Sequence, residues 1–249
     1  MLILKEILSG VIIGILSGFF GLGGSSIATP ILRTIADVNP FFALATPLLT
    51  VIPSAISASL VYYKKNLINF KISKLSIISG LPFVILGAYV TKFVSGKFLM
   101  VATALFVFFV GFSFLFRRKF LIDANSQKIG DVKLWSIILL SLIGFVSGFL
   151  ANGGGIMLVP LYVWAFKMDI KTAFGTSLFV VSFFAIPGAL THFILGHIDL
   201  KLFLILSLSA IPFANLSARV AVKLRSELLE STYGIFLTLF AIYFLFREI

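Results

Sequence analysis

Residues 13–24 read IGILSGFFGLGG and residues 143–154 read IGFVSGFLANGG. The second stretch lies 130 positions after the first, and the register holds without gaps well beyond this window. Gly14 pairs with Gly144, Ser17 with Ser147, Gly18 with Gly148 and Phe19 with Phe149. Further on, Pro30 pairs with Pro160, Ala43 with Ala173, Thr46 with Thr176 and Lys71 with Lys201. Self-similarity at a fixed offset marks one structural unit used twice. It divides the chain into a first repeat 1–116, a polar connector 117–133 and a second repeat 134–249.

The letters around these stretches identify the solvent. Of 249 residues, 60% are hydrophobic and only 12% charged, too few to cover a soluble surface. Mean hydropathy is +1.15. Apolar runs of about 20 residues recur along the chain, the length a helix needs to cross a bilayer. In hydrocarbon the backbone must satisfy its own hydrogen bonds, so the runs are helices. The fold expected is all-α and polytopic, with about eight hydrophobic segments. Residues 2–20 carry Gly10, Gly14 and Gly18 and have a twin later in the chain, so they read as a retained first helix and not as a leader.

Each repeat predicts the same series. A first helix over 2–20 breaks at 21–25 and resumes to 36; further helices follow over 41–63, 75–93 and 98–116. The second repeat predicts 134–150 with a short arm to 166, then 172–194, 201–222 and 231–246. If the broken first element crosses the membrane, each repeat has four spans and the repeats run parallel. If it folds back as a hairpin, each has three and the repeats are inverted. Basic residues collect on the cytoplasmic side. The hairpin arrangement gathers Lys167, Lys171, Arg219, Lys223 and Arg225 there with the corners 64–74 and 117–133, and the balance leans to inversion.

The net charge of +11 sits in such clusters between apolar runs and forms no basic face that could track nucleic acid. The chain has no cysteine, and His192 and His197 alone make no metal site. No nucleophile–base pair, HExxH motif or carboxylate dyad accompanies the spans, so no catalytic residue, metal or cofactor is assigned and the chain reads as a non-enzyme.

The glycine-rich breaks carry the functional expectation. Non-helical backbone survives in a membrane only when buried in protein or lining a wet cavity. Interrupted helices at matching positions of two repeats are the sequence pointer to a transporter's site. The short helix after each break would aim unpaired N–H groups and a positive dipole end at that site, which favours an anion. Gly23, Gly24, Ser25 and Ser26 in the first break, with Asn152, Gly153, Gly154 and Gly155 in the second, are the expected substrate-binding residues. Thr46, Thr176 and Ser177 on the following helices would complete the shell; bonding to their own backbone is the alternative. His192, near the end of a span, is a candidate proton-linked group, with an interfacial histidine as the simpler account. Arg219 reads as a snorkelling residue.

The run SGFFGLGGSSIATPIL (17–32), Ala43 with Thr46, and Tyr62-Tyr63-Lys64-Lys65-Asn66 resemble the TauE/SafE sulfite exporter family; SGFLANGGGIMLVPL (147–161), Ala173–Thr176 and Gly196-His197-Ile198-Asp199 repeat the pattern. The resemblance covers nearly the whole chain. It implies a multi-pass permease of the bacterial inner membrane for a small anion such as sulfite or an organosulfonate. One departure bears on cargo: Ser25 stands where the second repeat has Gly155. An anion-selective channel and a non-transporting scaffold are the rival readings, and the sequence sets neither transport direction, coupling ion nor oligomeric state.

Overall fold

The computed structural model describes residues 2–99, 101–102, 105, 108–109 and 134–248, with backbone alone for Leu2, Ser26, Ala241, Phe244, Leu245, Arg247 and Glu248. Among these residues the secondary structure is entirely helical. The labelled elements are α1 Leu2–Phe20, α2 Ser25–Ile35, α3 Pro40–Tyr63, α4 Phe70–Val90, α5 Leu134–Phe149, α6 Gly155–Trp164, α7 Ile170–Ile194, α8 Leu200–Ala221 and α9 Ser226–Glu248. Five helices are long and apolar enough to cross a membrane, and α5 and α6 are shorter apolar helices. The whole connector 117–133, and most of the expected helix 98–116, lie outside the described residues.

Local chemistry sets the helix starts. Asn39 Oδ1 accepts the Phe41 amide at 3.1 Å before α3, and Asp169 Oδ2 accepts that of Lys171 at 3.0 Å before α7. Asn69 caps α4 through the Ile72 amide, and Asp199 caps α8 through those of Lys201 and Leu202. Each cap satisfies an amide the helix itself leaves open. These caps explain why α4 begins at Phe70 and not at the expected 75. Its first turn carries Lys71 and Lys74 and is too polar to register as part of an apolar run. The start of α9 at Ser226 precedes the expected 231 for the same reason, its first turn being Ser-Glu-Leu-Leu-Glu.

Helix directions follow from ordered contacts. On α1, Gly10, Gly14 and Gly18 meet Leu206, Ala210 and Ala214 of α8 in rising order, so these helices are parallel. The approach is so close that a Cβ on Gly14 or Gly18 would overlap a carbonyl oxygen of α8. In membranes small residues permit this packing, and dispersion rather than hydrophobicity drives it. Likewise Gly144 meets Gly80, and Gly148 meets Val84, making α5 parallel to α4. Bonds from the Asp199 amide to Thr46 and from Asn215 to Ser57 align α3 with α8. Leu48 with Gly188 and Tyr62 with Gly175 set α7 antiparallel to α3. Thus α1, α3 and α8 run one way, and α4, α5 and α7 the other. Positions 14 and 210 in one contact are replaced by 144 and 80 in the other: the same two places, exchanged. One end of the bundle consequently gathers Lys64, Lys65, Lys71, Lys74, Lys167, Lys171, Arg219, Lys223 and Arg225.

Candidate substrate site

Between α1 and α2 the chain takes left-handed backbone at Gly21 (φ 68°), Gly23 (75°) and Gly24 (94°). Between α5 and α6 it does so at Ala151 (45°), Gly153 (66°) and Gly154 (80°), each 130 positions later. Such angles cost an L-residue roughly 1–2 kcal/mol, and of these six positions Ala151 alone carries a side chain. The turns reverse the chain, so that α2 returns along α1, with Gly24 beside Ile13 and Ser17.

The two turns meet inside the bundle. A Cβ on Gly155 would overlap the Leu22 carbonyl, and one on Gly153 would stand 3.1 Å from Ser25 Oγ and 3.0 Å from Val181 Cγ1. A Cβ on Gly23 would overlap the same Val181 methyl. Residues 21–25 and 151–155 are all buried. The structure therefore brings together Gly23, Gly24, Ser25, Asn152, Gly153, Gly154 and Gly155. The side chain of Ser26 lies outside the described residues.

At this junction Gly24 and Gly154 are the N-cap residues of α2 and α6, and neither N-terminus has a side-chain cap. Asn152 Oδ1 instead accepts the Gly154 amide at 2.9 Å within the turn. The hydroxyls of Ser17, Ser25, Thr50, Ser147 and Ser177 are buried without a hydrogen-bond partner among the described residues. Ser17 and Ser147 face Gly24 and Gly154 respectively. An unpaired buried polar group costs about 1–3 kcal/mol, so these hydroxyls are expensive unless a ligand or water pairs with them. Ser17, Ser147 and Thr50 were not singled out from the sequence. The first two occupy matched positions seven residues before Gly24 and Gly154, two helical turns along the returning pair, and that spacing was the available signal.

Thr46 and Thr176 have a second occupation. Thr46 Oγ1 accepts the Asp199 amide at 3.1 Å, and Thr176 Oγ1 accepts the Asn69 amide at 3.0 Å. Each thereby ties its helix to the first residue before a helix of the other half, while its own proton stays available to donate.

His192 is enclosed by protein. It is fully buried, because α7 crosses the bundle interior at the level where α5 ends. Its Nε2 lies 3.3 Å from the Gly148 carbonyl and its Nδ1 3.3 Å from His197 Nδ1. Tyr62, 130 positions earlier, donates its hydroxyl to Gly18 at 3.1 Å. Both residues thus hold the last turn of the helix leading into a break. His197, in the loop after α7, stacks on Phe41, and burial pushes its imidazole below its usual value. Glu6 on α1 is also buried, and its Oε2 has no partner among the described residues.

No solved structure matches the chain. The chain is 26% identical over 212 residues to probable membrane transporter protein YunE of Bacillus subtilis, an alignment covering 76% of this chain and 78% of that protein. It is 27% identical over 249 residues to probable membrane transporter protein MJ0441 of Methanocaldococcus jannaschii, covering 92% and 91%. A probable membrane transporter protein of Xylella fastidiosa is 25% identical over 244 residues, covering 96% and 94%. The profile described as sulfite exporter TauE/SafE matches residues 7–244. The chain, a multi-pass membrane protein, belongs to the TauE/SafE family of membrane transporters.

Proposed function

We propose that this protein carries a small anion of the sulfur oxyanion or organosulfonate class across a bilayer by alternating access between two inverted repeats. The observation that carries the reading is the junction of the two left-handed turns, where uncapped helix ends meet buried hydroxyls that lack partners. A helix N-terminus is equivalent to roughly half a positive charge. Two converging on one point supply about one unit, which suits a monoanion such as bisulfite or a sulfonate without burying a cationic side chain.

Ser25, Asn152 and the amides of Gly23–Ser25, Gly153 and Gly155 form the proposed first contacts, with Ser17, Ser147, Thr50 and Ser177 around them. Thr46 and Thr176 couple this centre to the opposite half. The closed burial of both turns favours a carrier caught occluded over an open pore. In this reading the repeats are 1–116 and 134–249, and the lysine-rich end faces the cytoplasm of a bacterial cell. Saturable sulfite flux in proteoliposomes tests the reading. Gly154→Leu should abolish it while leaving the protein inserted, and unchanged flux would refute the site.

A further inference from the structure

Outside the proposed anion site, two cavities adjoin at the basic end of the bundle. The larger, about 450 Å³, is walled by Ile56, Leu60 and Tyr63 of α3, Phe70 of α4, and Phe179 and Phe183 of α7. The smaller, about 370 Å³, shares Leu60 and is lined by Lys64, Lys65, Asn215 and Arg219. Ile56, Leu60 and Tyr63 follow one face of α3 and are about half exposed. From Ile56 to Tyr63 that face rises about 10 Å at 1.5 Å per residue, and the lysines follow in the next turn. Edge contacts from Tyr63 to Phe70 (6.0 Å) and from Phe70 to Phe179 (5.5 Å) make the aromatic wall continuous.

We propose that the joined cavities bind one anionic phospholipid, its phosphate held by Lys64, Lys65 and Arg219 and an acyl chain lying in the aromatic groove. Three observations support this occupant. First, the lining changes from mostly apolar, with Ser59 and Ser182 its small polar residues, to basic across Leu60, in the order in which a phospholipid changes from chain to phosphate. Second, no acidic residue lines either cavity. Arg219 Nε is fixed by Asn215 Oδ1 at 2.8 Å, and Asn215 is anchored to the Ser57 carbonyl at 2.9 Å. The guanidinium is therefore held at the rim with its terminal nitrogens unpaired among the described residues. Third, a protein helix 10–12 Å across would need roughly twice the larger volume over the same length, whereas a single hydrocarbon chain would not. Basic pockets between membrane helices on the cytoplasmic side suit anionic headgroups for the same electrostatic reason. The proposal depends on this end lying at a bilayer surface, and not on the identity of the transported anion.

The test is native mass spectrometry of the full chain in neutral detergent, with phosphatidylglycerol and phosphatidylcholine added in equal amounts. Each basic group at a membrane surface is worth about a fivefold preference for anionic lipid, so retention should favour phosphatidylglycerol by roughly tenfold or more. The triple variant K64Q/K65Q/R219Q should bring the ratio within about twofold on the same basis. Ile186→Trp, at an exposed position of the groove, should weaken both lipids alike. All these positions are exposed, and an unchanged melting temperature checks that each variant is folded. A wild-type ratio near one, or a preference that survives the triple variant, would overturn the proposal. So would equal displacement by glycerol 3-phosphate, which would make the cleft a free-anion site.

Discussion

Gly23→Ala places a methyl group at the junction of the two turns, and its cost can be worked out from two separate sources. At φ 75° an alanine takes on left-handed strain of roughly 1–2 kcal/mol. Its Cβ also overlaps Val181 Cγ1 and stands 3.3 Å from Val51 Cγ1. Overpacking of a filled site adds typically about 1–3 kcal/mol. The sum, about 2–5 kcal/mol, corresponds to a fall of roughly 4–20 °C in melting temperature for a chain of this size. Val181→Ala removes the overlap and leaves the strain. In the Gly23→Ala background it should therefore restore part of the loss, although alone it opens a cavity and destabilises. Scanning fluorimetry of wild type, both single variants and the double variant gives the coupling, expected at about 1–3 kcal/mol in favour of the double. Strictly additive effects would refute the placement of Val181 between the turns.

Removing a partnerless buried hydroxyl should not harm the fold. Ser25→Ala and Ser147→Ala should leave the melting temperature unchanged or raised, yet weaken sulfite affinity by about tenfold or more, since a hydrogen bond to a charged group contributes about 1.5–3 kcal/mol. A parallel fall in both stability and affinity would mean that the hydroxyls serve packing. Tyr62→Phe removes the bond to Gly18 and should cost about 1 kcal/mol, read as a lower melting temperature in detergent. Because burial lowers His197, the folded state binds its proton less readily than the unfolded state. That contribution is complete above about pH 6.5 and is lost as pH falls through and below it. Melting temperature should fall on acidification from pH 7 to 5, and fall less in His197→Gln; identical profiles would contradict this.

Much of this arrangement is legible in the letters because glycine is favoured where the chain takes left-handed turns, as it does at five of the six such positions in the two breaks. Gly21, Gly23 and Gly24 announced the first break, and Gly153 and Gly154 the second, to within a residue. Helix bodies followed from apolar runs of bilayer length. The starts of α4 and α9 did not, because a first turn bearing Lys71 and Lys74, or Glu227 and Glu230, lowers the average that defines a run. Pairing was also hidden. Gly10, Gly14 and Gly18 declared a close-packing face on α1, but only three-dimensional contacts name Ala210 and Ala214 as its partners. The burial of His192 is not legible, because position along a helix does not say which neighbours cover a side chain. The end of α5 at Gly148 and the loop residue His197 meet that level of α7, so a residue near the end of a span is enclosed by protein. Ser25 and Ser177 are expected at the site from the sequence, but which hydroxyls lack a partner is hidden for a related reason. Serine in a membrane helix ordinarily bonds to the carbonyl four residues back, as Ser54 does to Thr50, and only coordinates reveal those that do not.

Anomalous diffraction from crystals soaked in selenite, the selenium counterpart of sulfite, would locate the anion directly. The account predicts a selenium peak placed so that the selenite oxygens accept hydrogen bonds from Ser25 Oγ and the amides that open α2 and α6, lost in Ser25→Ala with Ser147→Ala. A peak confined to Lys64, Lys65 and Arg219, with the glycine turns empty and transport intact, would contradict it.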